Sequence, residues 1–306
     1  MFKFEKEQVV YDIAGVKLGG QPGEYPTVLI GSIFYEKHKI VSDPMKGEFD
    51  KKAAEELIKK QEELYDKTGN PFIIDVVGLS SEALEKYIDF VADVTEAPFL
   101  VDSFSPNVRL SAIKHAIEVG LKERAIYNSI DNHVSDEEIN SLRDLGVESS
   151  VLMAYNPRNV WAKGRVEILR GWEGQLGLLE AAKKAGIKKT LIDTAVLDVP
   201  SIGIAASAVK LVKEEFGLPA GCAPSNAIAT WSRVRKEYSS HAYPASCAGS
   251  ALLDILMGAD FVLYGPIKQA DTVYPVCAMA DAIICYNARM LGIRPKVKNH
   301  PLYKIF

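Results

Sequence analysis

The chain has 306 residues, 48% hydrophobic and 25% charged, with a formal net charge of −4. That is enough apolar material for one large core, and the absence of any basic block or aromatic-studded basic stripe argues against nucleic acid. No stretch of about 18 uncharged apolar residues occurs, so no membrane span is expected.

The N-terminus "MFKFEKEQVV" lacks the apolar run of a secretory signal, and a cytoplasmic protein is expected. Cys222, Cys247, Cys277 and Cys285 form no C-x-x-C pair and have no histidine at ligand spacing, so they are expected to be free thiols.

In chain order, apolar runs alternate with amphipathic stretches. The first run, "TVLIGSIF" (27–34), leads into a long charged loop over 31–50. "FDKKAAEELIKKQEELYDKTG" follows with helical spacing and a stop at Gly69. "FIIDVVG" (72–78) precedes a helix opened by Ser80, and "FLVDSF" (99–104) precedes one opened by Ser105-Pro106. "RAIYNSI" (124–130) comes before "SDEEINSLRDLG", whose Ser135 and Glu138 form a capping box. "SSVLMAYN" (149–156) precedes a helical stretch read as continuous over 166–186. "TLIDTAV" (190–196) precedes "SIGIAASAVKLVKEEFG". "AGCAPSNA" (220–227) and "DFVLYGPI" (260–267) are each followed by an Ala-rich helical tract.

Seven runs are continuous rather than alternating, as strands buried on both faces are. "AGCAPSNA" has weak strand propensity and is assigned by its place in the series. Eight strands alternating with helices predict an α/β protein, a closed (β/α)8 TIM barrel, as a single domain over 1–306. An open doubly wound sheet would place a Gly-rich phosphate turn after an early strand, and "IGSIFYEKHKIVSD" is no such turn. The basic, Pro-punctuated tail "RPKVKNHPLYKIF" is expected to pack on the barrel surface or on a partner.

Barrels of this kind carry their chemistry at the C-terminal strand ends. Those ends offer Asp75, Asp102-Ser103, Asn128-Ser129, Asn156, Asp193-Thr194, Ser225-Asn226, and Tyr264 with Lys268 beyond it. Asp and Asn are poor strand formers, and a buried unpaired Asp is costly. One such residue alone would be a loop starter or a helix cap. Asp102, Asn128, Asp193 and Asn226, each after an apolar run, are expected to converge on one mouth.

No histidine accompanies these carboxylates, which argues against catalytic zinc, and no metal ligand set is assigned. Mg²⁺ would call for a phosphate partner, and no phosphate cradle is evident. A planar heterocycle with several N–H donors suits the set. A carboxylate accepts two parallel N–H bonds from an aminopyrimidinone edge, and an amide both donates and accepts. A reduced pterin has that edge.

"FLVDSFSP", "AIYNSI", "TLIDTAVL" and "APSNA" resemble the strand-end motifs of the pterin-dependent methyltransferases, a group that includes dihydropteroate-synthase-like barrels. The whole chain, including "YPASCAGSALLDILMGADFVLYGPI", resembles most closely the H-subunit family of tetrahydromethanopterin S-methyltransferase. It is also similar to bacterial methylcorrinoid:tetrahydrofolate methyltransferases.

The resemblance implies that Asp102, Asn128 and Asp193 bind the pterin ring and that Asn226 reaches the methyl-bearing N5 as the catalytic residue. Asp75 and Ser225 stand beside them as further ring contacts. Where the corrinoid-iron-sulfur type of relative carries an acid after the first-strand Gly, "IGSIF" has Ser32. The implied activity is methyl transfer between a methylcorrinoid protein and N5 of tetrahydrofolate. The alternative is a tetrahydromethanopterin-dependent subunit of a coenzyme M methylating complex. Lacking a D-x-H-x-x-G stretch, the chain is expected to receive its corrinoid on a separate protein. The resemblance also implies a homodimer, with the Ala- and Ser-rich helix near 245–257 suited to close contact.

Three other readings compete: dihydropteroate synthesis, a Schiff-base aldolase using Lys268, and a non-enzymatic assembly role. The first lacks a late basic cluster, the second a lysine inside a strand, and the intact polar set argues against the third. His115 is expected on a helix surface, His38 in a solvated loop and His133 nearest the mouth. "RVRKEY" (233–238) is expected to be a charged helix face, and Trp161 or Trp172 a cap over the site or a packing residue at an interface.

Overall fold

Residues 2–172 and 174–306 are described in this computed structural model. Eight strands form the barrel: β1 (Val28–Ile33), β2 (Phe72–Val77), β3 (Phe99–Asp102), β4 (Ala125–Ile130), β5 (Ser149–Met153), β6 (Lys189–Asp193), β7 (Ala220–Cys222) and β8 (Phe261–Pro266). All neighbours pair in parallel, and the β8–β1 ladder closes the ring. The strands are apolar on both faces because both faces are covered. Ile30, Ile73, Leu100, Ile126, Val151 and Leu191 fill the barrel interior. Leu29, Ile74, Val101, Tyr127, Leu152 and Ile192 pack outward against the helices.

Most helix starts and stops read from the sequence form, but the Ser135–Glu138 capping box is only half made. Ser135 accepts from the Glu138 N–H, while the Glu138 carboxylate takes Arg109 and Tyr127 instead. Asp50 caps a helix start the sequence left unmarked. Asp50 accepts from the Ala53 N–H to open α1 (Lys51–Thr68), and Gly69 ends it in the left-handed region. Ser80 opens α2 (Ser81–Val94), Pro106 starts α3 (Pro106–Glu118), and Ser135 opens α4 (Asp136–Leu145).

Three local expectations fail for identifiable reasons. The continuous helix over 166–186 is instead α5 (Ala162–Arg170), a small hairpin pairing 171–172 with 175–176, and α6 (Leu178–Lys184). The break falls at Gly171, whose φ is +83° and where any Cβ would lie 2.6 Å from the Gly177 nitrogen. The "AGCAPSNA" run is a strand only as far as Cys222. Pro224 has no N–H for the ladder and opens α8 (Pro224–Thr230), so Ser225 and Asn226 are helical. "RVRKEY" is no helix face either, since residues 232–235 form a single 3₁₀ turn.

After α7 (Ser201–Phe216) and α8 come α9 (Ala242–Leu256), α10 (Ala270–Ala288) and a short α11 (Pro301–Lys304) in the tail. The tail lies against α1, where Asn299 Nδ2 donates to the Tyr65 hydroxyl and Lys304 to the Asp66 carbonyl. An element without a counterpart in the sequence reading is an N-terminal hairpin, Val10–Ile13 with Val16–Gly19. Its Ile13 and Leu18 enter the interior cluster and stopper the barrel at the N-terminal strand ends. Among the described residues no helix is long and apolar enough to cross a membrane.

Candidate active site

At the C-terminal strand ends lies a cavity of ≈ 300 Å³, the lower end of the range for small-molecule pockets. Ser32, Asp75, Asp102, Asn128, Asp193 and Asn226 line it, from five strand ends and the first turn of α8. The four residues expected to converge do so. Leu263 and Met153 supply apolar wall. The Asn128 and Asn226 amides make no hydrogen bond to the described residues, so both stay free for a ligand.

The electrostatics are unusual, because four acids line one small chamber: Asp75, Asp102, Asp131 and Asp193. Asp75 is buried and takes a 2.5 Å hydrogen bond from the Ser32 hydroxyl. Its burial outweighs that bond and lifts its carboxyl to about 6. Asp102 lies within hydrogen-bond reach of Asp75 and is pushed well above the carboxylate range, by burial first and by the Asp75 charge second. Asp193 accepts from the Ala195 N–H at 2.7 Å, yet burial still raises it to about 6.

A cation that the sequence reading passed over stands beside them. Arg109 is buried on α3 and lines the cavity. It donates to the Ser103 carbonyl at 2.7 Å and to Glu138 at 3.2 Å, and Glu138 also accepts from the Tyr127 hydroxyl at 2.6 Å. Its charge opposes the rise of Asp102. The signal was present: Arg109 falls in the stripe with Ala112, Ile113 and Ala116, the buried face of α3. Arg165 works similarly behind Asp193, donating to the Thr194 carbonyl at 2.8 Å.

Other expected residues are placed elsewhere. Ser225 is buried against Gly265 and does not line the cavity; a Cβ at Gly265, whose φ is +78°, would meet the Ser225 Cβ at 2.9 Å. Asn156 turns to cap its own loop, accepting from the Arg158 N–H. Tyr264 points outward, where its hydroxyl accepts from Gln61. Lys268 is exposed in a 3₁₀ turn.

His133 is exposed, and His115 pairs with Asp89 on the surface. His38 reverses its expectation. It is buried, stacks on Tyr35, accepts from the Phe34 N–H and is held neutral near 4 by burial. Trp161 is exposed in the β5–α5 connection, and Trp172 is half-buried beneath Arg158. All four cysteines are free and buried.

The closed parallel barrel has counterparts among solved structures, and the chain has relatives in sequence. The fold recurs in dihydropteroate synthase of Xanthomonas albilineans with 4-aminobenzoic acid (TM-score 0.62, 18% identity, 90% of this chain and 98% of that one). It recurs in the Yersinia pestis dihydropteroate synthase (TM-score 0.61, 13% identity, 90% and 99%). At such identities the likeness concerns the fold alone.

In sequence, the family described as tetrahydromethanopterin S-methyltransferase MtrH subunit matches residues 6–296. The tetrahydromethanopterin S-methyltransferase H subunit from Methanopyrus kandleri is 46% identical over 311 residues, covering 97% of each chain. That of Methanothermobacter thermautotrophicus is 44% identical over 310 residues, covering 100% of each. The chain belongs to the MtrH family.

These relatives overturn the expectation of tetrahydrofolate as the methyl acceptor, since they are named for tetrahydromethanopterin. The strand-end motifs could not separate the two, because the aminopyrimidinone edge they suit is common to both pterins.

The acid cluster opposes folding. Asp193 sits near 6 when folded and near ~3.9 when unfolded, so the folded state holds its proton more tightly. Its contribution is fully present below about pH 4 and is lost as pH rises toward 6. Asp193→Asn is therefore expected to stabilise the protein at pH 7, by up to ~3 kcal/mol, with the gain vanishing near pH 4. Thermal unfolding of both proteins across pH 4–8 checks this, and an equal shift at every pH contradicts it.

Proposed function

We propose that this chain binds tetrahydromethanopterin, or a tetrahydropterin with the same ring, in the strand-end cavity, and exchanges a methyl group between ring N5 and a corrinoid carried by a separate protein. The observation that carries the reading is the convergence of Asp102, Asn128, Asp193 and Asn226 on one ring-sized chamber, in a chain that matches its MtrH relatives along its whole length. Those relatives are named as one subunit of an enzyme, which supports action within a larger assembly.

Transfer of a methyl group from a tertiary amine nitrogen is a nucleophilic displacement. The C–N bond breaks, and N5 keeps the bonding pair and takes a proton from solvent through the open mouth. The acceptor supplies the pair for the new bond, so the protein needs no covalent nucleophile. Orientation and charge stabilisation at N5 are what it supplies. Asp102 and Asp193 suit the N–H donors of the aminopyrimidinone edge, and Asn128 suits its mixed donors and acceptors. Asn226, exposed on α8, suits N5. Its amide donates to or accepts from the nitrogen as the charge there changes, without titrating. The mouth stays open above it for the methyl carrier.

A homodimer is part of this proposal. The Ala- and Ser-rich face of α9 does not serve it, because Cys247, Ala248, Ser250 and Ala251 are buried within the barrel's own packing. Five of the exposed large apolar side chains lie on the outer faces of α9 and α10: Leu253, Leu256, Met279, Ile283 and Tyr286. These are the side chains a second copy would cover.

Calorimetric titration with tetrahydromethanopterin is expected to show saturable binding, weakened ~tenfold or more in Asp102→Asn and in Asp193→Asn. Asn226→Ala is expected to lower kcat with little change in KM; wild-type turnover in that variant contradicts its role. Light scattering is expected to give a dimer for the wild type and a monomer for Ile283→Glu/Tyr286→Glu. A monomeric wild type ends the dimer proposal.

A further inference from the structure

One atom in the cavity is unexplained by ring binding alone. Asp75 Oδ1 is buried and has no hydrogen-bond donor among the described residues, although Oδ2 of the same carboxyl takes the Ser32 hydroxyl. A carboxylate oxygen in that condition is expensive. The group within reach of Asp75 is another acid, Asp102. Two carboxylates so close cannot both ionise, and one proton between them satisfies both.

We propose that Asp75 is a positioning residue that exchanges a single proton with Asp102, so that Asp102 is a neutral donor in the ligand-free protein and a charged acceptor when the ring edge arrives. The inference rests on the pterin reading above. In the ligand-free protein the Asp102 hydroxyl donates to Asp75 Oδ1, and Asp75 is the anion. When ring N–H groups face Asp102, its O–H bond breaks and an O–H bond forms on Asp75 Oδ1. Asp75 then donates back to Asp102, and Ser32 still donates to Asp75 Oδ2. The pair carries one negative charge throughout, and no proton is exchanged with solvent. The charge moves from the buried second strand to the residue that touches the ligand.

The surroundings suit this arrangement. Ser32 from β1 steadies Asp75 in either state. Arg109 from α3 faces Asp102 and favours its charged form, while Asp193 from β6 opposes it. Asp131, at the end of β4, is the remaining acid lining the cavity. Burial and mutual repulsion keep one proton on the pair at neutral pH, since Asp102 lies well above the carboxylate range while Asp75 sits near 6.

Two measurements test it, the first without any pterin. Carboxyl ¹³C NMR of aspartate-labelled, ligand-free protein at pH 7 is expected to show Asp102 in the acid form, assigned by its loss in Asp102→Asn. In Asp75→Asn, whose amide donates permanently, Asp102 is expected to become a carboxylate. An ionised Asp102 in the ligand-free wild type overturns the proposal, whether or not pterin binds. If the NMR pattern holds and tetrahydromethanopterin fails to bind, the pterin reading fails and the shared proton stands.

The second measurement is pterin affinity against pH. Asp75→Asn is expected to bind within ~threefold of wild type at pH 7 and to keep its affinity below pH 6, where the wild-type pair takes a second proton and weakens. Asp75→Ala, with no group to donate to Asp102, is expected to lose ~tenfold or more. A merely structural Asp75 would leave the pH profile of Asp75→Asn unmoved. An Asp75 that binds the ring by its charge would make Asp75→Asn as weak as Asp102→Asn. Either result overturns the proposal.

Discussion

Too few donors for too many enclosed carboxyl oxygens, those of buried Asp75 and Asp193 and half-buried Asp102, is the constraint on which the mouth of this barrel depends. Asp75, Asp102 and Asp193 meet in one chamber, and the nearby donors are few: the Ser32 hydroxyl, the Ala195 N–H and the buried Arg109 charge. Each acid is pushed toward its neutral form. A ligand edge rich in N–H groups supplies what the protein withholds. The cost carried in the ligand-free state becomes affinity when such an edge binds, a common exchange of stability for function at active sites.

The fold serves that chamber. A parallel barrel brings eight strand ends to one face, and the N-terminal hairpin stoppers the other, so Ile13 and Leu18 complete the core that the strands leave open. The layer outside holds the chamber's back wall. Arg109, Glu138 and Tyr127 tie α3, α4 and β4 together behind Asp102, and Arg165 ties α5 to the loop after Asp193. These cations are themselves buried, with each guanidinium pinned by backbone carbonyls.

Much of this was legible in the sequence. Continuous apolar runs marked the strands, since both faces of a parallel sheet are covered. Asp102, Asn128, Asp193 and Asn226 were legible because a polar residue after such a run has few inexpensive explanations. What the sequence hid depends on contacts between distant positions. No local pattern says that Asp75 faces Asp102, or that Tyr264 turns outward to Gln61 while Leu263 turns in. His38 was hidden by a charged loop that folds back onto Tyr35, whereas Arg109 was marked by its place in the buried stripe of α3. The break at Gly171 had a visible glycine, but its cause is the close approach of Gly177. The choice between tetrahydrofolate and tetrahydromethanopterin was illegible for a different reason: the ring edge that the strand-end motifs suit is common to both.

The central claim is that the ring edge sits on Asp102 and Asp193 with N5 turned toward Asn226 and the open mouth. A crystal structure with tetrahydromethanopterin bound tests it most directly. The account predicts ring nitrogens within hydrogen-bond distance of Asp102 and Asp193, N5 beside Asn226, and Asp75 touching Asp102 but not the ring. A pterin bound outside this chamber, or one whose N5 faces the barrel floor, would contradict it.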